Sequence, residues 1–527
     1  MLVADRFRTR VAIGLCSFLL MHCGGRSSVP QGDGTRPLVA CNQDNDCFDG
    51  NLCVTKACIE GYCRTVKTKT CDDGNPCTSD LCDPPTGNCA YPLKVSDNDG
   101  DGYYGPLPGA QPGASGSCGN DCNDSNAMVH PGAPEICDGL DNNCDGRIDE
   151  GINSYSLSGS RVRVTDDTFA EGYPDGLVYN GSYFALTFTG EKSPSAFQGY
   201  FSGYDKFGTR VVPISSVSQT ANNSFGGPLI WTGSAFASAW EVHSENAYDI
   251  YFNQLDIRGK KLGPDVRITN NSGFSINPTL FWDGVNYWIA WSDQNGSEND
   301  PFRIYGQKVS TDGQLVGTTT ALTDAILDAR SPILLRSPNA SMLFYLTGNS
   351  PNLSSQLRQR VSAQLLGPDM SPSGSSIYLS DGGVSDYTAD WVGDRYIVAW
   401  STGGQAIGSA IWAASIDTAG NVLQVAQTIT FGANFARSPN LLSLGDRFAL
   451  AWSDDRTTYN HYGVRFAVYS PNFAALSAVQ TLAETDYPCV GPVLASGGSG
   501  LALVYTELTS AQSGLSYFLP LACGATF

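Results

Sequence analysis

Leu280–Trp291 reads "LFWDGVNYWIAW". Two runs rich in aromatic and β-branched residues flank Asp283-Gly284, a pair suited to a tight hairpin turn, and the second run closes on a tryptophan. The same cadence returns in "LVYNGSYFALTF" (Leu177–Phe188), "LIWTGSAFASAW" (Leu229–Trp240), "LLRSPNASMLFY" (Leu334–Tyr345), "ADWVGDRYIVAW" (Ala389–Trp400), "LLSLGDRFALAW" (Leu441–Trp452) and "LASGGSGLALVY" (Leu494–Tyr505). The closing aromatics, Phe188, Trp240, Trp291, Tyr345, Trp400, Trp452 and Tyr505, lie 51 to 55 residues apart. A proline opens most copies, at Pro174, Pro228, Pro278, Pro332, Pro439 and Pro492. Several copies carry a second hairpin, such as "LDIRGKKLG" or "VSTDGQLVG", and the unit ends on a strand such as "VRITNN". Four short strands in a repeat of this length make a β-propeller blade, and seven copies predict an all-β, seven-bladed propeller over residues 155–527.

The ends of the repeat sharpen that expectation. Blade seven runs out at "SYFLPLACGATF" without an outer strand, while "VRVTDD" (Val162–Asp167) stands alone before blade one and matches the cadence of "VRITNN" (Val266–Asn271). The N-terminal strand is therefore expected to complete the last blade, closing the ring and removing long exposed edges. Cys489 and Cys523 bracket blade seven, and a disulfide between them is expected to clamp the seam. The repeated aromatics are read as packing between blades and are assigned no chemistry.

One face of such a propeller would carry the loops "GEKSPSAFQG", "EVHSENAYD", "SDQNGSENDPFR" and "SDDRTTYNHY", with Glu191, Glu241, Asp293, Asp300, Asp454 and Asp455. These read as solvated loop carboxylates. Hydrolysis of a glycoside needs two carboxylates in fixed opposition, and sequence does not say which of these face each other. There is no arginine triad of the sialidase sort, no repeated S-x-D-x-G-x-x-W box and no G-x-S-x-G. The histidines, His22, His130, His243 and His461, are scattered. No catalytic residue is nominated.

The 527-residue chain carries 51 acidic against 31 basic residues, a net charge of −20, which argues against nucleic acid and anionic membrane surfaces as partners. Residues 1–22 read as a signal peptide, with Arg6, Arg8 and Arg10 before the short apolar run "VAIGLCSFLLM". Cys23 is then the expected lipidation site, and residues 23–40 a Gly/Ser/Pro-rich tether. Gly24 after that cysteine is similar to an outer-membrane sorting signal. The expected location is extracytoplasmic, on the outer membrane or cell surface or secreted, with membrane contact only through the lipid.

Thirteen cysteines crowd between Cys41 and Cys144, as expected of an exported, disulfide-framed chain. Their odd number leaves one free or paired outside the cluster. Residues 41–93, with "CNQDNDCFDGNLCVTKACIEGYC" and "CDDGNPCTSDLCDPPTGNCAYP", hold few apolar residues and need covalent staples. They resemble modules of large bacterial secreted proteins.

Residues 94–152 carry the metal chemistry. In "DNDGDGYYG" (Asp97–Gly105), Asp97, Asp99 and Asp101 stand at positions 1, 3 and 5 of a tight loop. Gly102 stands at 6, and the Tyr103 carbonyl at 7. This is how a chain wraps Ca²⁺, although the Glu of an EF-hand at position 12 is replaced by Pro108. In "EICDGLDNNCDGRIDE", Asp141, Asn143 and Asp145 repeat the spacing, with the Arg147 carbonyl and Asp149 following and Asp138 and Glu150 nearby. Between the loops lie Asp121, Asn123 and Asp124. Cys118, Cys122, Cys137 and Cys144 are expected to tie these pieces with two disulfides. Together the stretch "DNDGDGYYG…DCNDSNAMVHPGAPEICDGLDNNCDGRIDEG" resembles the MopE-type metal-binding motif of secreted and surface proteins of myxobacteria and other bacteria. That resemblance implies copper. The donors themselves, carboxylate and amide oxygens, favour calcium, and only Met128 and His130 suit copper.

The sequence thus predicts an exported, lipid-anchored surface protein. A metal-stiffened stalk presents a propeller that binds a protein or glycan. The alternatives are a polysaccharide hydrolase or lyase on the propeller, and copper scavenging by the motif.

Overall fold

The computed structural model describes residues 39–524, apart from 139, 219, 221, 246, 295, 297–299, 325–327, 349–358, 403–409, 431–435, 455–462, 486, 498–499 and 511–512. The signal segment, Cys23, most of the tether, Asp455 and His461 lie outside the described residues. The chain forms two compact units: Met1–Ser96 with Pro106–Gly119, and Asp97–Gly105 with Asn120–Phe527.

The first unit has little regular structure. A 3₁₀ turn at Asp44–Cys47 precedes a hairpin of Val54–Ile59 and Tyr62–Thr68, whose turn residues Glu60 and Gly61 both take positive φ (52° and 79°). Its half-cystines Cys47, Cys53 and Cys71 are its only buried apolar side chains among the described residues. Five disulfides hold it: Cys41–Cys58, Cys47–Cys63, Cys53–Cys82, Cys71–Cys89 and Cys77–Cys118. Cys118 therefore pairs back into this unit and not with its neighbours in the metal region.

The second unit is a seven-bladed propeller. The innermost strands are Glu171–Tyr179, Asn223–Phe225 with Leu229–Trp231, Ser275–Trp282, Asp328–Arg336, Val384–Val392, Arg437–Ser443 and Cys489–Gly497. Each begins an antiparallel sheet, and neighbouring innermost strands touch all the way round, the last against the first. Closure follows the sequence reading. The last strand, Ser513–Cys523, pairs with Val162–Arg163 (Phe518 opposite Val162) and also with Tyr155–Leu157 (Leu521 opposite Leu157).

The seven closing aromatics are all buried, in clusters that bridge one blade to the next. Trp452, for example, packs with Val392, Ile397 and Phe448, and the seam is filled by Val164, Phe184, Val504 and Phe518. Burying a side chain of this size contributes about 1.5–3 kcal/mol, so the repeat specifies the ring through these positions.

Five of the six prolines sit inside the innermost strands rather than before them, and Pro228 sits in the gap between Asn223–Phe225 and Leu229–Trp231. The strand register breaks beside Pro174 and between Ile276 and Thr279, Arg330 and Ile333, Arg437 and Asn440, and Val490 and Val493. Asn277, Ser331 and Ser438, each preceding a proline, take positive φ. Proline has no N–H to give to a ladder, so it falls where the ladder is already interrupted.

The expected Cys489–Cys523 bridge does not form. Cys489 lies opposite Glu507, and Glu507 opposite Leu515, eight positions before Cys523 on the same strand. At about 3.3 Å per residue the two cysteines stand at opposite ends of the sheet, far beyond disulfide reach. Cys523 bonds Cys137 instead, which accounts for the odd cysteine of the N-terminal cluster, and Cys489 is a buried free thiol.

Candidate functional site

The first acidic loop is built by its own backbone. Asp97 accepts hydrogen bonds from Gly100 N (2.7 Å) and Gly102 N (3.1 Å), Asp99 from Asp101 N (3.3 Å), and Asp101 from Tyr103 N (2.8 Å). Gly100 and Gly102 take φ of 84° and 95°, which lets the chain turn twice in three residues. These bonds leave one oxygen on each of two carboxylates, Asp99 Oδ2 and Asp101 Oδ2, buried and without a donor. A third such atom comes from a distant segment. Asp121 is fully buried; its Oδ1 accepts from Asn123 N (2.7 Å), and its Oδ2 has no donor.

Ligand oxygens of Asp97, Asp99 and Asp101 lie within 4.8 Å of one another, as do those of Asp99, Asp121 and Asp124. Burial and the neighbouring charges of Asp101, Asp99 and Asp124 raise the Asp121 carboxyl above the usual range. Like charges so close are costly unless a cation lies among them. Donorless, buried carboxylate oxygens converging from two segments fit a hard divalent cation with oxygen ligands. Tyr103 stacks on His130 (4.6 Å between centroids, 10° between planes), joining the two segments beside the loop.

Sequence reading missed two parts of this arrangement. Asn98 donates to Asp124 through its backbone N (2.9 Å) and its side-chain amide, and holds that carboxylate in place. A Cβ on Gly105 would meet Asp124 Oδ2 at 2.7 Å, so only glycine permits the close approach. Neither has a signal in loop spacing.

The second loop differs. Asp141 is occupied by Asp145 N (3.1 Å) and Gly146 N (2.7 Å), and Asp145 is held by Arg147. Asp138 accepts from Leu140 N and, weakly, from the Asn142 amide, and Asp149 from Asp138 N. Glu135, also unforeseen, accepts from Asn143 N (2.8 Å) and Asp149 N (2.9 Å). Asn143 donates to Glu150, whose Oε2 is the one carboxylate oxygen of this loop buried without a donor. A guanidinium already stands where a cation would bind Asp145.

This second loop is pinned to the propeller. Cys137–Cys523 ties it covalently to the last strand, Arg147 reaches Asp446 (3.4 Å), and the buried Arg447 donates to the carbonyls of Asp149 and Ile152, while Cys122–Cys144 links it to the Asp121 segment. The loops of the metal region thus belong to the propeller's own unit and not to a free-standing stalk. Its cysteines are all disulfide-bonded and supply no thiolate, and Met128 is exposed, so the soft donors copper prefers are few.

The propeller carries a second candidate site. The bulges of the innermost strands of blades 1 to 5 surround a cleft of about 690 Å³ at the channel mouth, lined among others by Tyr173, Asp175, Glu241, His243, Asp386 and Tyr387. Glu241 is held by Asn277 N (2.6 Å) and by His243 Nε2 (2.8 Å), and His243 stacks on Tyr248 at 3.7 Å. Asp175 accepts from Thr189 Oγ1 (2.9 Å), and burial, with Glu241 adding, pushes its carboxyl up to about 8. Asp175 had no signal in sequence beyond its place after Pro174. The second metal loop packs at the hairpin turns of blades 6 and 7, around Leu444–Arg447, at the opposite ends of the innermost strands from this cleft.

Three of the loop carboxylates are not solvated as expected. Glu241 is in the cleft. Asp293 is buried beneath donors from Asn271 (3.0 Å), Ser275 (2.7 Å) and Trp291 (2.8 Å). Asp454 is buried near Arg465. All three lie at strand ends, where packing between blades closes over them. Glu191 sits opposite Glu171 in the strand register, and Asp300 is exposed.

Residues 121–150 match the family model Cu-binding MopE, described as "Putative metal-binding motif"; the match excludes Asp97–Gly105. Among curated proteins, a 62-residue stretch is 40% identical to protein psiJ of Dictyostelium discoideum, spanning 11% of this chain and 9% of that protein. Among solved structures, the α-L-arabinofuranosidase Arb93A of Fusarium graminearum is similar at 13% identity over 59% of this chain and 98% of its own, with a TM-score of 0.41. The β-propeller domain of the Trilobed protease of Pyrococcus furiosus is similar at 9% identity (66% and 95% covered, TM-score 0.39). A puromycin-hydrolysing peptidase of Mycobacterium tuberculosis is similar at 13% identity (71% and 56%, TM-score 0.43). The chain therefore joins a MopE-type metal-binding motif to a seven-bladed propeller. Its seven disulfides belong to an extracytoplasmic, oxidising setting. Among the described residues no helix is long and apolar enough to cross a membrane.

Proposed function

We propose that this protein is exported, anchored through a lipid on Cys23, and works as a surface binding protein whose propeller takes a glycan or protein ligand in the channel cleft. The cleft carries the reading: it is concave, mixes carboxylates with aromatic walls, and opens away from the metal loops. The metal region then acts as a brace, and calcium is its cation, because the donors are oxygens throughout. Copper capture has in its favour the family match over residues 121–150 and, among the donors, only His130 and the exposed Met128. The test is binding of the mature protein to arrayed glycans and exported-protein peptides. Glu241→Gln with Asp386→Asn should abolish the signal, and Asp121→Asn should leave it. Ligand binding that survives the double variant would sink the cleft as the site.

A second reading, hydrolysis of a polysaccharide, is favoured by one observation. Asp175 is held protonated near neutral pH beside Glu241, and a proton-donating carboxyl paired with a carboxylate is what glycoside cleavage uses. Release of reducing ends that disappears in Asp175→Asn would replace the binding reading with this one.

A further inference from the structure

We propose that one Ca²⁺, held by Asp99, Asp101 and Asp121 with Asp97 and Asp124 completing the set, is a detachable clasp for the segment Asp97–Gly105. This rests on the reading that the region binds a hard cation, and it goes further in naming one site, its ligands and its consequence.

The two halves of the site are held very differently. Asp121 and Asp124 flank Cys122, which is bonded to Cys144, and Asp121 is fully buried. The segment Asp97–Gly105 has no cysteine of its own, and the chain leaves the unit on both sides of it, at Ser96 and Pro106. Few contacts hold it to its partner: the Asn98–Asp124 hydrogen bonds, Asp121 N to Tyr104 O (3.1 Å) and the Tyr103–His130 stack. Against these stands repulsion among the carboxylates of Asp97, Asp99, Asp101, Asp121 and Asp124, which meet within a few ångströms. Three of their oxygens, one on each of Asp99, Asp101 and Asp121, are buried with no donor. A divalent cation turns that repulsion into the strongest contact between the halves. Without it the balance favours separation. The second loop needs no such ion, because backbone amides and Arg147 already occupy Asp141 and Asp145. Release should therefore be local to the first loop.

The experiment is hydrogen exchange read by mass spectrometry on the whole mature protein, in Ca²⁺ and in EGTA, beside a calorimetric Ca²⁺ titration. Amides of Asn98–Tyr104 should exchange at least roughly tenfold faster in EGTA, while those of Asp141–Glu150 stay unchanged. Asp121→Asn should give the fast pattern even in Ca²⁺. Gly105→Ala, which displaces Asp124, should weaken Ca²⁺ binding and give part of the effect. Ca²⁺ binding with no change in exchange at Asn98–Tyr104 would overturn the clasp while leaving the cation site standing. Exchange that rises equally in both loops would overturn it too, since the ion would then hold the whole region. No Ca²⁺ binding in the titration would remove the cation reading itself.

Discussion

The cysteine-rich unit and the propeller hold themselves together by opposite means. Among its described residues the first buries no apolar side chain except half-cystines, and it carries five disulfides in a short length. The second buries an aromatic at the same place in each blade and has two disulfides, one within the metal region that precedes the first blade and one from that region to the last strand of blade seven. The difference follows from composition. A chain of Asp, Asn, Gly and Cys has too little apolar surface to offset the entropy of ordering its backbone, so cross-links must restrict the unfolded state instead. The propeller repeat has enough, and its cross-links serve to pin an acidic loop to its surface.

The sharpest way to break this contrast is reduction. Each disulfide contributes about 2–4 kcal/mol, so mild reductant should abolish the structure of the first unit outright. The propeller should keep its far-UV β signal and a cooperative calorimetric transition. Joint collapse of both would refute the contrast. The next largest effect belongs to the propeller core. Phe448 is fully buried with Trp452 and Tyr469, and Phe448→Ala should cost about 3–5 kcal/mol, seen as a lowered propeller transition with the first unit's amide exchange unaltered.

A third effect concerns the cleft. The Asp175 carboxyl titrates at about 8 in the folded protein against 3.8 when unperturbed. The folded state therefore holds a proton that the unfolded state has lost. This group's contribution is full below about pH 4 and declines as pH rises to about 8. Asp175→Asn should flatten that decline, giving a melting temperature that falls less than wild type between about pH 5 and about pH 9. An unchanged pH profile would mean that Asp175 is ionised and solvated at the cleft.

The blade repeat was legible because each copy repeats one packing problem. The turn between Phe281–Trp282 and Trp288–Trp291 and the buried Trp291 need only local sequence to be recognised. Closure was legible for the same reason, since Val162–Arg163 has the pattern of an outer strand with no blade of its own. Asp97, Asp99 and Asp101 could be read as a loop because their ligands are near in sequence. Asp175 could not, since what distinguishes it is burial beside Glu241, more than sixty residues away. Asp293 and Asp454 were misread as solvated because a polar loop sequence does not reveal that the strand end beneath it is covered.

By itself, then, the sequence determined the fold class, the number of blades, the closing strand and the two acidic loops, all set by short-range periodicity and turn chemistry. The tertiary structure decided what depends on long-range approach. It chose Cys137 over Cys489 as the partner of Cys523, because strand register puts Cys489 at the far end of its sheet. It brought Asp121 to Asp99 and Asp101, leaving three buried carboxylate oxygens without a donor. And it gathered Asp175, Glu241 and Asp386 from three blades around one cleft, because bulged innermost strands carrying Asp175 and Asp386 and the end of the second strand of blade two, carrying Glu241, converge there.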